Sequence, residues 1–240
     1  MHKITKMFRS ALSFDVGSKH LGLCALRVSK EGTFEILDWS VQTCVPDTLN
    51  VNLTPIQDLG PLFYAHIMER HASWPQVDTI FIENQPMGLK GSARNLKTKV
   101  LSHILQCVLS HTRPGIPIEF ISPSLKLKDM ERIGKSTYAQ NKKFAIEQTT
   151  RFIHDLSLCL NPSFAKGLFE PPKVRGVKSI KKDDFADAFL QGYYALWMQL
   201  NQCVVEPSKK PAKKKAVPKK SLDYELSEEP SKKRKRPTNK

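Results

Sequence analysis

Short apolar runs separated by turn-forming residues characterise the N-terminal part of the chain. The runs are 11–16 (ALSFDV), 21–28 (LGLCALRV) and 33–41 (TFEILDWSV), and Gly17 and Ser18 lie between the first two. Apolar runs of this length that are bounded by Gly and Ser predict strands. Because strands joined by short turns pair with each other, we predict a three-stranded antiparallel meander.

The rest of the chain alternates between apolar residues at helical spacing and short apolar runs. In chain order, these patterns predict helix 56–71, strand 77–83, helix 93–111, strand 117–121, helix 137–157 and helix 183–200. The proline-containing residues 161–182 are predicted to form a loop. Hairpin strands followed by alternating helices and strands predict an α/β fold, with a mixed β-sheet that is antiparallel over its first three strands and flanked by helices.

Charge divides the 240 residues into two parts. The net charge is +15, and residues 207–240 carry +9 of it, because they hold 13 Lys and Arg against 4 Asp and Glu. This segment has few large apolar residues, so we predict one folded domain over 1–206 and a disordered basic tail over 207–240. The run KKRKR at 232–236 predicts a nuclear-import signal or a nucleic-acid contact. It favours a nuclear location, with the mitochondrion or a viral replication factory as alternatives.

The same composition narrows the class of partner. The excess of basic residues favours a polyanion such as DNA. No apolar run approaches the roughly 18 residues needed to cross a bilayer, so no membrane partner is expected. The five cysteines include no CxxC pair, which argues against a zinc site.

Acidic residues lie at the ends of predicted buried elements. Asp15 ends the first strand, Glu83 ends strand 77–83, and Asp184 and Asp187 begin the last helix. A carboxylate in such a position is costly to bury unless it is paired or bound to a metal. Asp184 and Asp187 are spaced i, i+3, so they share one helix face with Cβ atoms about 5–6 Å apart.

Asp183 is the alternative to Asp184, because it directly precedes it and suits a helix N-cap. It points about 100° away around the helix, and we favour Asp184 because it shares a face with Asp187. Carboxylate oxygens suit Mg²⁺ or Mn²⁺. Two such ions about 4 Å apart can activate a water and stabilise the leaving oxygen when a phosphodiester bond is cleaved.

Three motifs in this order resemble those of a nuclease family. They are SFDVGSKHLGLCAL at the first hairpin, IFIENQP at the second acidic strand and KKDDFADAFLQGYYAL at the last helix. Together they resemble the RuvC-like Holliday junction resolvases of the RNase H-like superfamily, over roughly residues 10–200. They are most similar to the branch found in poxviruses, related large DNA viruses and fungal mitochondria.

The resemblance implies an RNase H-like sheet and metal-dependent cleavage of four-way DNA junctions, with two Mg²⁺ or Mn²⁺ ions per site. The implied metal-binding catalytic carboxylates are Asp15, Glu83, Asp184 and Asp187. It also implies a homodimer, because two symmetric incisions need two sites. The apolar faces of helices 56–71 and 93–111 are candidates for the dimer interface.

The resemblance also implies roles for basic and apolar residues near the motifs. Lys126, after strand 117–121, resembles one family lysine. Lys142 or Lys143 resembles a second, and we retain Lys143 as the catalytic candidate. Such a lysine stabilises charge in the transition state or binds a phosphate. Met87 or Leu89 is a candidate wedge between bases at the junction centre.

Three other functions compete with junction cleavage. One is a nucleic-acid-binding protein of RNase H-like fold that does not cleave, against which the four intact acids argue. Another is an RNase H-like nuclease that acts on RNA–DNA hybrids or replication flaps, for which the same metal site would serve. The third is an ATP-binding fold of the actin and sugar-kinase type, which needs two such domains, whereas no second phosphate-loop hairpin follows the first.

Overall fold

The computed structural model describes residues 8–85, 93–127, 137–171 and 181–202. The chain divides into two units, Met1–Glu206 and Pro207–Lys240, and all the described residues belong to the first. The predicted tail lies outside the described residues, so its disorder stays a prediction. None of the helices in the described ranges is long and apolar enough to cross a membrane.

Five strands form a mixed sheet in the order β3-β2-β1-β4-β5. The strands are β1 Phe8–Val16, β2 His20–Ser29, β3 Phe34–Thr43, β4 Thr79–Glu83 and β5 Ile118–Ile121. β2 pairs antiparallel with β1 and with β3, whereas β4 pairs parallel with β1 and with β5. The predicted fold class is confirmed, because the sheet is mixed, its first three strands are antiparallel and helices flank it.

Helices cover both faces of the sheet. They are α1 Ile56–Arg70, α2 Ala93–Thr112, α3 Tyr138–His154, α4 Pro162–Phe169 and α5 Lys182–Gln202. Residues of α1 and α2 share a buried cluster with Leu12 and Phe14 of β1. Residues of α3, α4 and α5 share a second cluster with Ala11 of β1 and Phe81 of β4. Because successive strand residues point to opposite faces, β1 contributes to both clusters.

The loop predicted over 161–182 is wrong in its first part, where α4 forms. Proline suits the first turn of a helix, because N–H groups in that turn have no acceptor within the helix and the missing N–H of proline therefore costs nothing. Ala165 and Phe169 are buried at i, i+4 spacing, and the Phe169 ring stacks on Trp39 with ring centroids 5.0 Å apart. The prediction gave weight to the prolines and overlooked the apolar spacing between them.

Candidate active site

Two strands that lie side by side place Asp15 and Glu83 together. β1 and β4 run parallel, with Phe14 opposite Ile82, so the next residue of each strand lies at the same level. Phe14 and Ile82 belong to the cluster under α1 and α2, and strand alternation therefore turns Asp15 and Glu83 toward α5. Two carboxylates far apart in sequence thus meet at one end of the sheet.

A close approach of α5 to the sheet adds the acids of the last helix. A Cβ atom on Gly22 would lie 2.7 Å from the Asp184 carbonyl oxygen, and one on Gly192 would lie 2.8 Å from the Ser13 Cβ atom. Any larger side chain at either glycine would push the helix away from the strands. The indole Nε1 of Trp39 donates to the Phe185 carbonyl at 2.9 Å, which fixes the first turns of the helix against β3.

Lys126 lies at the centre of the acidic cluster. It belongs to a short 3-10 helix, Pro123–Leu127, that follows β5. Its Nζ atom is 3.2 Å from an oxygen of each of Asp15, Glu83 and Asp187. Its side chain is only 6% exposed. The structure therefore brings four of the predicted site residues into direct contact, with the ammonium as their common partner.

The electrostatics of the cluster follow from its burial. Burial raises the pKa of Glu83 to about 9 despite the Lys126 charge, and the neighbouring Asp15 adds to the rise. Burial alone would also raise the pKa of Asp15, but the Lys126 charge and a hydrogen bond with Glu83 hold it below its usual value. Burial raises the pKa of Asp187 to about 6 despite Lys126. At neutral pH, Glu83 therefore carries a proton while Asp15 is ionised.

The two adjacent acids of α5 have different partners. Asp184 lines the same cavity as the cluster, and its carboxylate is 3.4 Å from the Lys181 ammonium. Burial raises the pKa of Asp184, and the Lys181 charge opposes that rise. Asp183 forms an ion pair with Lys142, which holds the pKa of Asp183 below its usual value although burial acts to raise it. Asp184 therefore lines the cavity together with Asp187, whereas Asp183 is paired with Lys142.

The two candidate lysines of α3, Lys142 and Lys143, lie on different faces of the helix. Lys143 is 78% exposed on its side chain and pairs with Glu147 at 3.7 Å, on the outer face of α3. Lys142 lines the cavity and lies over the Tyr138 ring, with 4.9 Å from its Nζ to the ring centroid. Lys142 therefore lines the cavity and Lys143 does not, so the catalytic role predicted for Lys143 passes to Lys142 in the proposal below. The sequence held a signal, because Lys142 precedes the buried Ala145 by three residues and so shares its face.

The carboxylates line a cavity of about 560 Å³ that has a basic rim. Lys19, Lys142 and Lys181 contribute to its lining, as do Val51 and Asn52 from the loop before α1. Cationic side chains around an acidic floor suit a phosphate chain that passes over bound cations. The cavity thus offers separate places for positive and negative ligand charges.

Lys97 of α2, which belongs to none of the sequence motifs, fixes this loop. The loop, residues 46–55, is named here the cavity-wall loop. Lys97 Nζ donates to the carbonyl oxygens of Val51 (3.0 Å), Asn52 (2.9 Å) and Thr54 (2.7 Å). The three N–H donors of one ammonium thus satisfy three carbonyl groups of the loop. No local sequence pattern predicts such a contact, because the residues are more than 40 positions apart.

Gln85 connects the ends of the two acidic strands. Its Nε2 donates to Glu83 Oε2 at 3.1 Å and to the Val16 carbonyl at 3.3 Å. The amide therefore orients the Glu83 carboxyl toward β1. The candidate wedge residues Met87 and Leu89 lie outside the described residues, so their role stays a prediction.

The oxygen donors of the site are of the kind that bind a divalent cation. The positions of three of its carboxylates, however, are those of contacts with the Lys126 ammonium. Carboxylate oxygens are the donors that Mg²⁺ and Mn²⁺ prefer. Over the described ranges, however, no group of three or more His, Cys, Asp or Glu side chains is arranged to hold a metal ion. Asp15, Glu83 and Asp187 instead face the Lys126 ammonium, which supplies the positive charge between them.

Comparison with known proteins finds similarity in structure alone. No family model and no curated protein sequence matches the chain. RuvC of T. thermophilus, solved in complex with a Holliday junction substrate, matches with a TM-score of 0.50 and 14% identity, over 80% of this chain and 96% of that one. The yeast mitochondrial Holliday junction resolvase Ydc2 matches with a TM-score of 0.51 and 18% identity, over 80% of this chain and 82% of that one. The chain therefore has the RNase H-like fold of these resolvases.

Proposed function

We propose that this chain is a structure-selective DNA endonuclease that resolves four-way junctions by metal-dependent hydrolysis of phosphodiester bonds. The observation that carries the proposal is the convergence of Asp15, Glu83 and Asp187 on one point at the end of the sheet. The two similar structures are those of a mitochondrial resolvase and of a RuvC–junction complex, which supports a nuclease of that kind. Membership of the viral and fungal mitochondrial branch remains part of the proposal.

The proposed division of labour follows the charges in the cavity. Asp15, Glu83, Asp184 and Asp187 would hold two Mg²⁺ or Mn²⁺ ions. When bound, such ions supply an activated water and stabilise the leaving oxygen. The carboxylates would hold the cations in the cavity. The rim lysines, including Lys142 and Lys181, bind phosphates and hold the strand over the acidic floor.

Branched DNA is the proposed substrate. A net charge of +15 favours contact with a polyphosphate backbone over long stretches. Contacts to phosphates carry little sequence information, so selectivity would come from the shape of the branch.

We propose that the basic tail over 207–240 adds affinity through counterion release and directs the protein to the nucleus. A tagged chain with and without residues 232–236 tests the location, and an unchanged distribution contradicts the nuclear assignment. Accumulation in mitochondria would favour the mitochondrial alternative, which is the compartment of the similar yeast resolvase.

The proposed functional unit is a homodimer joined through α1 and α2. A groove of about 500 Å³ between these helices is lined by Tyr64, Met68, Ile104 and Cys107, among others. Tyr64 is 49% exposed, and Met68 is 38% exposed. A second copy packed across this face would bury those side chains and give the two active sites that paired incision needs. Light scattering of Met68→Glu tests the interface, and a dimer that persists unchanged contradicts this placement.

A cleavage panel tests the proposed function. The full chain is incubated with four-way junctions, flaps, RNA–DNA hybrids and linear duplex, each with Mg²⁺, Mn²⁺ or EDTA. We expect paired nicks in the junction that depend on the metal and are absent in Asp15→Asn. Glu147→Gln is the matched control, because Glu147 is an exposed carboxylate on α3. Equal cutting of hybrids or flaps would favour another RNase H-like nuclease.

One observation favours a second candidate, a nucleic-acid-binding protein that does not cleave. The Lys126 ammonium compensates the acidic cluster without any metal, as in a structural ion network. In that case Asp15→Asn would leave junction affinity unchanged, and the wild-type chain would produce no nicks with any metal. The same panel, run beside a gel-shift titration, separates the two candidates.

A further inference from the structure

The cation at the centre of the acidic cluster is a side chain of the protein itself. Lys126 Nζ lies 3.2 Å from oxygens of Asp15, Glu83 and Asp187. The ammonium donates a hydrogen bond to Asp15, and Glu83 and Asp187 lie at ion-pair distance from it. With 6% of its side chain exposed, Lys126 exchanges few of these contacts for water.

We propose that Lys126 is an internal cation that holds the carboxylates together in the metal-free protein and must be displaced before a divalent ion can bind. The inference rests on the proposed metal-dependent function and assigns Lys126 a positioning role in it. It differs from a contact to phosphate alone, because it places Lys126 in competition with the metal. The threshold concentration for metal loading is then set partly by this side chain.

Competition follows from shared oxygens. Mg²⁺ needs oxygen donors at about 2.0–2.1 Å, and carboxylate oxygens that already accept from an ammonium have to release it first. Two cations drawn to the same oxygens also repel each other at short range. Conversely, removing the ammonium without replacement leaves buried carboxylates unpaired, which is costly. Lys126 therefore stabilises the metal-free site and opposes its loading at the same time.

The cavity provides room for the displaced side chain. Lys126 lines the same space of about 560 Å³ as Lys142 and Lys181. Its ammonium can move toward this rim while its aliphatic part stays in place. Displacement therefore needs rotation of one side chain and no rearrangement of the sheet or of α5.

Binding of Mn²⁺ alone, followed by electron paramagnetic resonance, tests the competition. The full chain is compared with Lys126→Met, which keeps an unbranched side chain one heavy atom shorter and removes the charge. Lys142→Met is the matched control, because it removes one charge from the same cavity, where Lys142 pairs with Asp183 instead of the central three. We expect Lys126→Met to bind Mn²⁺ tighter by about ten-fold or more, and Lys142→Met to change affinity by no more than about three-fold. Equal gains in both variants would overturn the proposal.

A measurement on the unaltered protein does not depend on the folding of a variant. Reductive methylation followed by peptide mass spectrometry reports the accessibility of each lysine amine. Lys126 should be protected in EDTA and become modified when the protein is saturated with Mn²⁺, whereas Lys143, at 78% side-chain exposure, should react in both conditions. Protection of Lys126 that persists in the saturated protein would overturn the proposal.

The outcomes separate this inference from the proposed function. If wild type and both variants bind Mn²⁺ equally tightly and the wild type cleaves junctions, the competition is refuted and the nuclease stands. If the wild type and both variants all fail to bind Mn²⁺, the metal-dependent function fails and the inference fails with it.

Discussion

The protonated Glu83 should make the stability of the metal-free protein depend on pH. Glu83 is buried at the end of β4, and burial raises its pKa to about 9 from a usual 4.5, with Asp15 and Asp187 adding to the rise and Lys126 opposing it. Between these two values the folded protein holds a proton that the unfolded chain has released. The substitution Glu83→Gln keeps the shape of the protonated carboxyl and removes the titration.

The sign follows from proton linkage. Where the folded state binds more protons than the unfolded state, the free energy of unfolding falls as pH rises, by up to about 1.4 kcal/mol per pH unit for one proton. The stabilising effect of the bound proton is fully present below pH 4.5 and is lost as pH rises toward about 9. Over the three units from pH 5 to 8 the limit is about 4 kcal/mol, and coupling of the Glu83 titration to its hydrogen-bonded neighbour Asp15 reduces the expected change to about 1–3 kcal/mol.

The assay is urea unfolding in EDTA at pH 5, 6, 7 and 8. We expect Glu83→Gln to gain stability relative to the wild type as pH rises, because it escapes the cost of ionising a buried carboxyl. Glu147→Gln makes the same chemical change at an exposed carboxylate of α3, and its difference from the wild type should stay flat. A flat difference for Glu83→Gln, or a relative gain by the wild type with rising pH, would refute the reasoning.

Three further predictions concern the helix acids, the cavity-wall loop and the tail. Asp184→Asn should abolish junction cleavage in a nicking assay while keeping gel-shift affinity, whereas Asp183→Asn should keep most activity, and an inactive Asp183→Asn would contradict the assignment. Lys97→Met should increase hydrogen exchange in the cavity-wall loop and cost about 1–3 kcal/mol of stability, with Lys99→Met on the same helix as the control. Removal of residues 207–240 should weaken DNA binding and flatten its salt dependence. Loss of thermal stability on that truncation would contradict a disordered tail.

Local alternation in the sequence was enough to predict much of the sheet and the position of its acids. Successive residues of a strand point to opposite faces of the sheet, so Asp15 points away from the face that carries Phe14. For the same reason, Glu83 points away from the face that carries Ile82. The ends of both strands were marked by the change from apolar to polar residues. The pairing of β1 with β4 cannot be predicted in this way, because those strands are more than 60 residues apart and the local pattern carries no information about their register.

The central lysine shows where prediction from sequence stopped. Lys126 was a candidate because of its place after a strand, yet its contact with Asp15 joins residues 111 positions apart. The choice between Lys142 and Lys143 depended on which face of α3 packs inward, and a rotation of about 100° separates the two. The helix α4 differs from the predicted loop because Pro162 lies at the first turn of a helix, where proline is tolerated.

The charge distribution of the folded part gives a physical reason for coupling metal to DNA. Asp15 and Asp187 contact the central Lys126 ammonium, and Asp184 lines the same cavity, so an approaching phosphate meets an excess of negative groups there. The basic rim attracts the same phosphate, and the two effects oppose each other over a few ångströms. Divalent cations on the floor would reverse its sign and let rim and floor act together. DNA held by the rim should therefore raise metal affinity, and metal should raise DNA affinity by the same factor, because linkage is reciprocal.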